Sequence, residues 1–200
     1  MDKSLLMCDN TEGDGKAEIV MDYVMSWSLR HAVKNKKSEK TPKLHQYCRY
    51  MLHKLLQLKT PLEHIVFEEV KVWKEWQYMD LCAEVKLKNN GVDEYYALLV
   101  ENKYYGKLRD NQLQRYQEIF KKYYDSKKEE GITWLLRYSL VSCFDRKKQL
   151  KELYATGMKK TKFIGLTFYE LLCPDKWHKD EKKYEDSESE IFNEFWLRRW

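Results

Sequence analysis

Residues 79–116 read MDLCAEVKLKNNGVDEYYALLVENKYYGKLRDNQLQRY, and the parsing of this stretch decides the fold. Its first part alternates: Met79, Leu81, Ala83, Val85 and Leu87 share one side, while Asp80, Cys82, Glu84 and Lys86 share the other. A period of two predicts a strand with one face on a core and one polar face in solvent. The segment NNGVDE follows, and Asn-Gly between two apolar runs is a strong hairpin signal. In the partner run, residues 96–100 are apolar on both faces, which predicts a central strand covered on both sides. That run ends in Glu101-Asn102-Lys103, and after Gly106 a helix extends to about residue 126.

The charges at the end of this strand need a reason, because buried charges are costly unless paired or bound to metal. In a strand, Glu101 and Lys103 point to one side, roughly 6–7 Å apart, and Asn102 points away with its carbonyl free. Counting outward from the turn at Asn90 and Gly91, Asp80 lies as far back as Glu101 lies forward. Neighbouring strands are about 5 Å apart, so the two carboxylates meet. Gln112 and Tyr116 stand at i and i+4 on the following helix and share a face. Two hard carboxylates suit Mg²⁺, and a nearby lysine can assist an attacking water, so the set fits phosphodiester hydrolysis.

Further out, two amphipathic helices precede the strands. One runs from Ala17 to about Lys34 with Ile19, Val20, Tyr23, Val24 and Trp27 as its stripe. The other runs from about Lys43 to Leu58 with Leu44, Tyr47, Cys48, Met51, Leu52, Leu55 and Leu56. HIVFEEVKVWKEWQ is a strand, GITWLLRYSLVS is another, and KFIGLTFYELLC is a strand passing into a short helix. The order is helix, helix, three strands, helix, two strands, followed by a charged segment and an amphipathic helix, IFNEFWLRRW. This predicts an α/β domain with a mixed sheet flanked by helices. Residues 1–16 read as a flexible leader, 17–173 as the domain, and 174–200 as a charged segment and C-terminal helix packed on it.

Composition narrows the partners. Lys plus Arg number 37 against 32 Asp plus Glu, a mild excess that permits a polyanionic partner without demanding one. The five cysteines are odd in number and scattered, with no zinc spacing, as expected of reduced thiols in a cytoplasmic protein. No apolar run is long enough for a membrane span, and no phosphate-binding glycine loop appears. Trp73, Trp76 and Tyr78, next to Asp80, either stack on bases or serve the core.

Asp80, then Glu101-Asn102-Lys103 after an apolar strand, then Gln112-x-x-x-Tyr116 resembles the PD-(D/E)XK nuclease superfamily, in particular its RecB-like branch with a QxxxY motif. The similarity covers roughly residues 17–172. It implies a restriction-endonuclease-like fold with an αβββαβ core, Mg²⁺ dependence with Mn²⁺ as a substitute, and cleavage of nucleic acid, DNA before RNA. It implies metal ligation by Asp80, Glu101 and the Asn102 carbonyl, and catalytic parts for Lys103, Gln112 and Tyr116. Many members place a further ligand on the first helix, where Glu18 is the candidate. Met79 stands where the motif has proline.

The ExK triplet alone carries little: Glu69-Val70-Lys71, Glu84-Val85-Lys86 and Glu181-Lys182-Lys183 also match. Context separates Glu101-Asn102-Lys103 from them. Two other readings stay open: a nuclease-fold module for nucleic-acid binding or assembly without turnover, and a homodimer docked through Phe192, Phe195, Trp196 and Trp200 of the C-terminal helix.

Overall fold

A computed structural model describes residues 6, 16–35, 39–104, 107–127, 131–142, 147–172 and 185–198. The expected leader therefore lies almost wholly outside the described residues, as does most of the charged segment after Leu172. One sheet holds five strands in sequence order. Strands β1 (Ile65–Trp76), β2 (Met79–Asn89) and β3 (Val92–Lys103) form an antiparallel meander. Strands β4 (Trp134–Ser142) and β5 (Ile164–Thr167) then add in parallel. The result is a mixed sheet flanked by helices, an α/β architecture consistent with the restriction-endonuclease-like fold.

Each face of the sheet carries its own core. On one side lie α1 (Lys16–Arg30), α2 (Pro42–Leu55) and α5 (Phe168–Leu172), packed on Leu81, Ala83, Val85, Leu87, Leu98 and Val100. On the other lie α3 (Gln112–Ser126) and α4 (Lys147–Leu153), packed on Cys82, Ala97, Leu99, Tyr138 and Leu140. This two-sided burial is why residues 97–100 of β3 are apolar without alternation. Parallel neighbours cannot be joined by a tight turn, so each parallel step requires a crossover. Helix α3 supplies the first and α4 the second; α4 was not expected, because the lysine-rich segment around it has little apolar periodicity.

Two other expectations are corrected. The second face of β2 is not solvated: α3 lies over it, Cys82 is fully buried, and Glu84 accepts from Tyr124 Oη at 3.1 Å and from Lys127 Nζ at 2.9 Å. In α1 the buried side is Ala17, Met21, Val24, Met25 and Leu29, whereas Ile19 and Tyr23 face outward. Of the expected stripe, Val24 is buried and Val20 and Trp27 pack against the core, while Met21 and Met25 take the places expected of Ile19 and Tyr23.

The two hairpins have turns of one type built from different residues. Asn89 pairs with Val92 across Asn90 and Gly91, at φ 48° and 83°. Trp76 pairs with Met79 across Gln77 and Tyr78, at φ 53° and 67°. Both are two-residue loops with left-handed central positions, a conformation that suits Asn-Gly and strains Gln-Tyr.

Near the C-terminal end, a helical turn, α6 (Glu190–Phe192), widens into a π-helical turn at Asn193–Leu197. Phe192, Phe195 and Trp196 are buried in the α1/α2 core, and Trp196 Nε1 donates to Ser28 Oγ at 3.0 Å. These three side chains are thus core rather than a docking face; Trp200 lies outside the described residues. Trp196→Ala should cost about 3–5 kcal/mol of unfolding free energy, read from urea denaturation.

Candidate active site

Strand parity puts the charged residues where they are. Glu101 and Lys103 continue the side of β3 that carries Ala97 and Leu99, facing α3. Asp80 continues the side of β2 that carries Cys82. The ladder pairs Leu81 with Val100, and one step further Asp80 stands beside Glu101. Asp80 Oδ2 accepts the Asn102 N–H at 2.8 Å, a bond that fixes this end of the strand pair.

Glu101 is fully buried. Its Oε1 accepts from Lys103 Nζ at 2.6 Å and from Gln112 Nε2 at 2.6 Å, while among the described residues no N–H donates to its buried Oε2. Lys103 Nζ also donates to the Asn102 carbonyl at 3.1 Å and lies 3.9 Å from Glu18 Oε2. The ammonium therefore touches or faces three of the oxygens that the sequence nominates for a cation. Glu18 Oε1 accepts the Tyr104 N–H at 2.8 Å, which ties α1 to the segment leaving β3.

Gln112 and Tyr116 are turned inward. Gln112 Oε1 accepts the Arg109 N–H at 3.0 Å, so the amide is oriented with its nitrogen toward Glu101. Gln112 Nε2 is 3.4 Å from Tyr116 Oη, and Tyr116 Oη donates to the Tyr78 carbonyl at 2.6 Å. The i, i+4 pair thus links the buried carboxylate to the β1–β2 turn.

The model of the PD-(D/E)XK nuclease superfamily matches residues 9–194. The chain belongs to that superfamily. No curated protein and no solved structure matches it. Membership suggests a nuclease, for which nucleic acid is the substrate class and divalent cations the usual cofactors. Among the described residues no helix is long and apolar enough to cross a membrane.

For a member of this superfamily the electrostatics are informative. Burial, and then the charge of Asp80, push the Glu101 carboxyl up to about 8. Burial raises Asp80 as well, against the opposing pull of Lys103. Burial alone would lower Lys103, but Glu101, Asp80 and Glu18 outweigh it and keep the ammonium charged. Acidic charge thus exceeds what one lysine neutralises. Among the described residues no three His, Cys, Asp or Glu side chains close into a finished metal cage. The donor set nevertheless fits a hard divalent ion, since among the described residues no N–H donates to the buried Glu101 Oε2, the Asp80 carboxyl stands beside it, and every candidate ligand is oxygen.

Sequence reasoning missed Asp22. Its Oδ1 accepts from Asn102 Nδ2 at 2.5 Å, so Asn102 is held by Asp80 through its backbone and by Asp22 through its side chain. Burial, then Asp80, push the Asp22 carboxyl up to about 7. The signal available was its spacing: Asp22 is four residues beyond Glu18, on the same face of α1.

A carboxyl whose folded-state pKa is raised binds its proton more tightly when folded, so stability falls as pH rises between the two values. For Glu101 that window runs from its ordinary 4.5 to about 8. The metal-free protein should therefore lose stability from pH 5 to pH 8.5. Glu101→Gln should raise its melting temperature by roughly 5 °C at pH 8.5, with the gain shrinking toward pH 5 in differential scanning fluorimetry.

Proposed function

We propose that this protein is a Mg²⁺-dependent nuclease that hydrolyses phosphodiester bonds, with DNA as its substrate and Mn²⁺ able to replace Mg²⁺. The observation that carries the reading is the Glu101 carboxylate: fully buried, next to Asp80, held by Lys103 and Gln112, and left with one oxygen to which no N–H of the described residues donates. A structural ion pair has no use for a second, half-buried carboxylate beside the first and for an oxygen to which no N–H donates, whereas a cation site uses both.

In this reading Asp80, Glu101 and the Asn102 carbonyl would hold the metal, and Glu18, from α1, would complete the set. A divalent ion held there would supply charge neutralisation at the phosphate oxygens and a lowered pKa for the attacking water. Lys103 is kept charged by its neighbours, so it acts as a hydrogen-bond donor: it orients the incoming oxygen and stabilises negative charge as the pentacovalent phosphorus forms. The water oxygen gives up a proton to bulk solvent and makes the new bond to phosphorus, the ester bond on the opposite side breaks, and the departing oxygen takes up a proton from solvent. Gln112 and Tyr116 are positioning residues. Gln112 sets the Glu101 rotamer, and Tyr116 anchors the β1–β2 turn, an arrangement in keeping with the QxxxY pattern of the RecB-like branch. Asp22 positions Asn102.

Asp80→Ala and Lys103→Ala should each abolish Mg²⁺-dependent cleavage of a labelled DNA while melting as one cooperative transition. Calorimetric titration should show Mn²⁺ binding to the unaltered protein and none to Asp80→Ala. Cleavage that survives either substitution removes the assignment. Nucleic-acid binding without cleavage or metal uptake by the unaltered protein points instead to a module that keeps the fold and has lost turnover.

A further inference from the structure

The β1–β2 turn is strained at the residue that stands beside the site. Two hairpins of the meander use the same two-residue turn with positive φ at both positions. The one remote from the carboxylates has Asn90-Gly91, the pair that adopts this conformation with least strain. The one adjoining Asp80 has Gln77-Tyr78, with Tyr78 at φ 67°. Glu75, between Lys74, which pairs with Leu81, and Trp76, which pairs with Met79, is also left-handed, at φ 58°. A bulky residue with positive φ is an outlier, and such strain gathers where the side chain has a use.

The aromatic residues of this hairpin divide sharply. Trp73 and Trp76 pack against the α3-side core, and Trp76 meets Phe120 and Tyr123 at ring-centroid distances of 6.4 and 4.7 Å. Tyr78 is 84% exposed, the most exposed of the large apolar side chains described. It lies two residues before Asp80, so its Cα is within about 7.6 Å of that carboxylate's own Cα. Its backbone is fixed: the Tyr78 carbonyl accepts from Tyr116 Oη at 2.6 Å, and through Gln112 that bond connects to Glu101. The turn therefore holds a free aromatic ring at a set position relative to the candidate metal ligands.

We propose that Tyr78 stacks on an unpaired base next to the scissile phosphate, which makes single-stranded or locally unpaired nucleic acid the substrate of this site. The inference rests on the nuclease reading above. A ring presented on both faces at a turn tip matches the π-face of a base that has left its stack, and such stacking tolerates any base identity. A paired duplex keeps its base faces covered by their neighbours and offers the ring nothing equivalent. Tyr78 is then a specificity residue that contacts substrate, while the phosphate is handled by the carboxylates and Lys103.

The test compares labelled single-stranded and blunt duplex oligonucleotides of one sequence, by fluorescence anisotropy in EDTA and by steady-state cleavage in Mg²⁺. The unaltered protein should bind the single strand more tightly. Tyr78→Ala and Tyr78→Gly should weaken single-strand binding about tenfold and raise KM with kcat kept, leave duplex binding unchanged, and Tyr78→Phe should restore native behaviour. Tyr78→Gly should also raise the melting temperature, because glycine relieves the left-handed position, so a folding defect cannot account for its weaker binding. Equal affinity of Tyr78→Ala and the unaltered protein for single strand, an equal loss on both substrates, or a preference for duplex overturns the proposal and leaves the nuclease reading standing. A protein that neither binds nor cleaves either oligonucleotide overturns both.

Discussion

Two carboxylates held side by side, Glu101 fully buried and Asp80 half-buried, are the constraint around which this structure is arranged. Asp80 and Glu101 reach that position because an antiparallel register places them on adjacent strands and on one face. Like charges so placed repel, and burial removes the solvent that would screen them. The fold supplies the compensation: an ammonium from the same strand, an amide from α3 and a backbone N–H at the strand end. Both layers of helices contribute, since α1 brings Glu18 and Asp22 from one side of the sheet and α3 brings Gln112 and Tyr116 from the other. The sheet is the one element that touches every part of the site.

This compensation is incomplete, and the shortfall is informative. A protein selected for stability alone would put an amide or an apolar residue where Glu101 stands. Instead one carboxylate oxygen receives no N–H from the described residues and the carboxyl is pushed up to about 8. The two cores on either side of the sheet provide the stability that tolerates this, and they do so with ordinary means: leucines, methionines and aromatic rings in close contact. Site and scaffold are therefore separable in origin although they share the same strands.

The legible part of the sequence is the part governed by short-range geometry. Strand alternation in residues 79–87, the Asn90-Gly91 turn and the two-sided apolar run before Glu101 determine a register, and the register determines which charges meet. What escaped lies where geometry depends on longer-range packing. Asp22 is one acid among many until α1 docks against Asn102. Helix α4 gains its apolar contacts, Leu150 and Leu153, from the sheet rather than from a periodic stripe. Glu84 looked solvated because nothing local says that α3 will cross over it. The turn at Gln77 and Tyr78 carries none of the residues that announce a turn, since its conformation is imposed by the strands and by Tyr116.

The bond between Trp196 and Ser28 joins residues 168 positions apart in the chain. The β2–β3 hairpin, by contrast, closes over a two-residue loop. Loop-closure entropy favours the short connection first and the long one last. On loop-closure entropy alone, Asp80 and Glu101 are expected to meet before α1, whose seat against the sheet includes that tryptophan, settles with Glu18 and Asp22. In that order the pair of acids would form before its full set of neighbours, and a contact far from it in sequence would complete its surroundings.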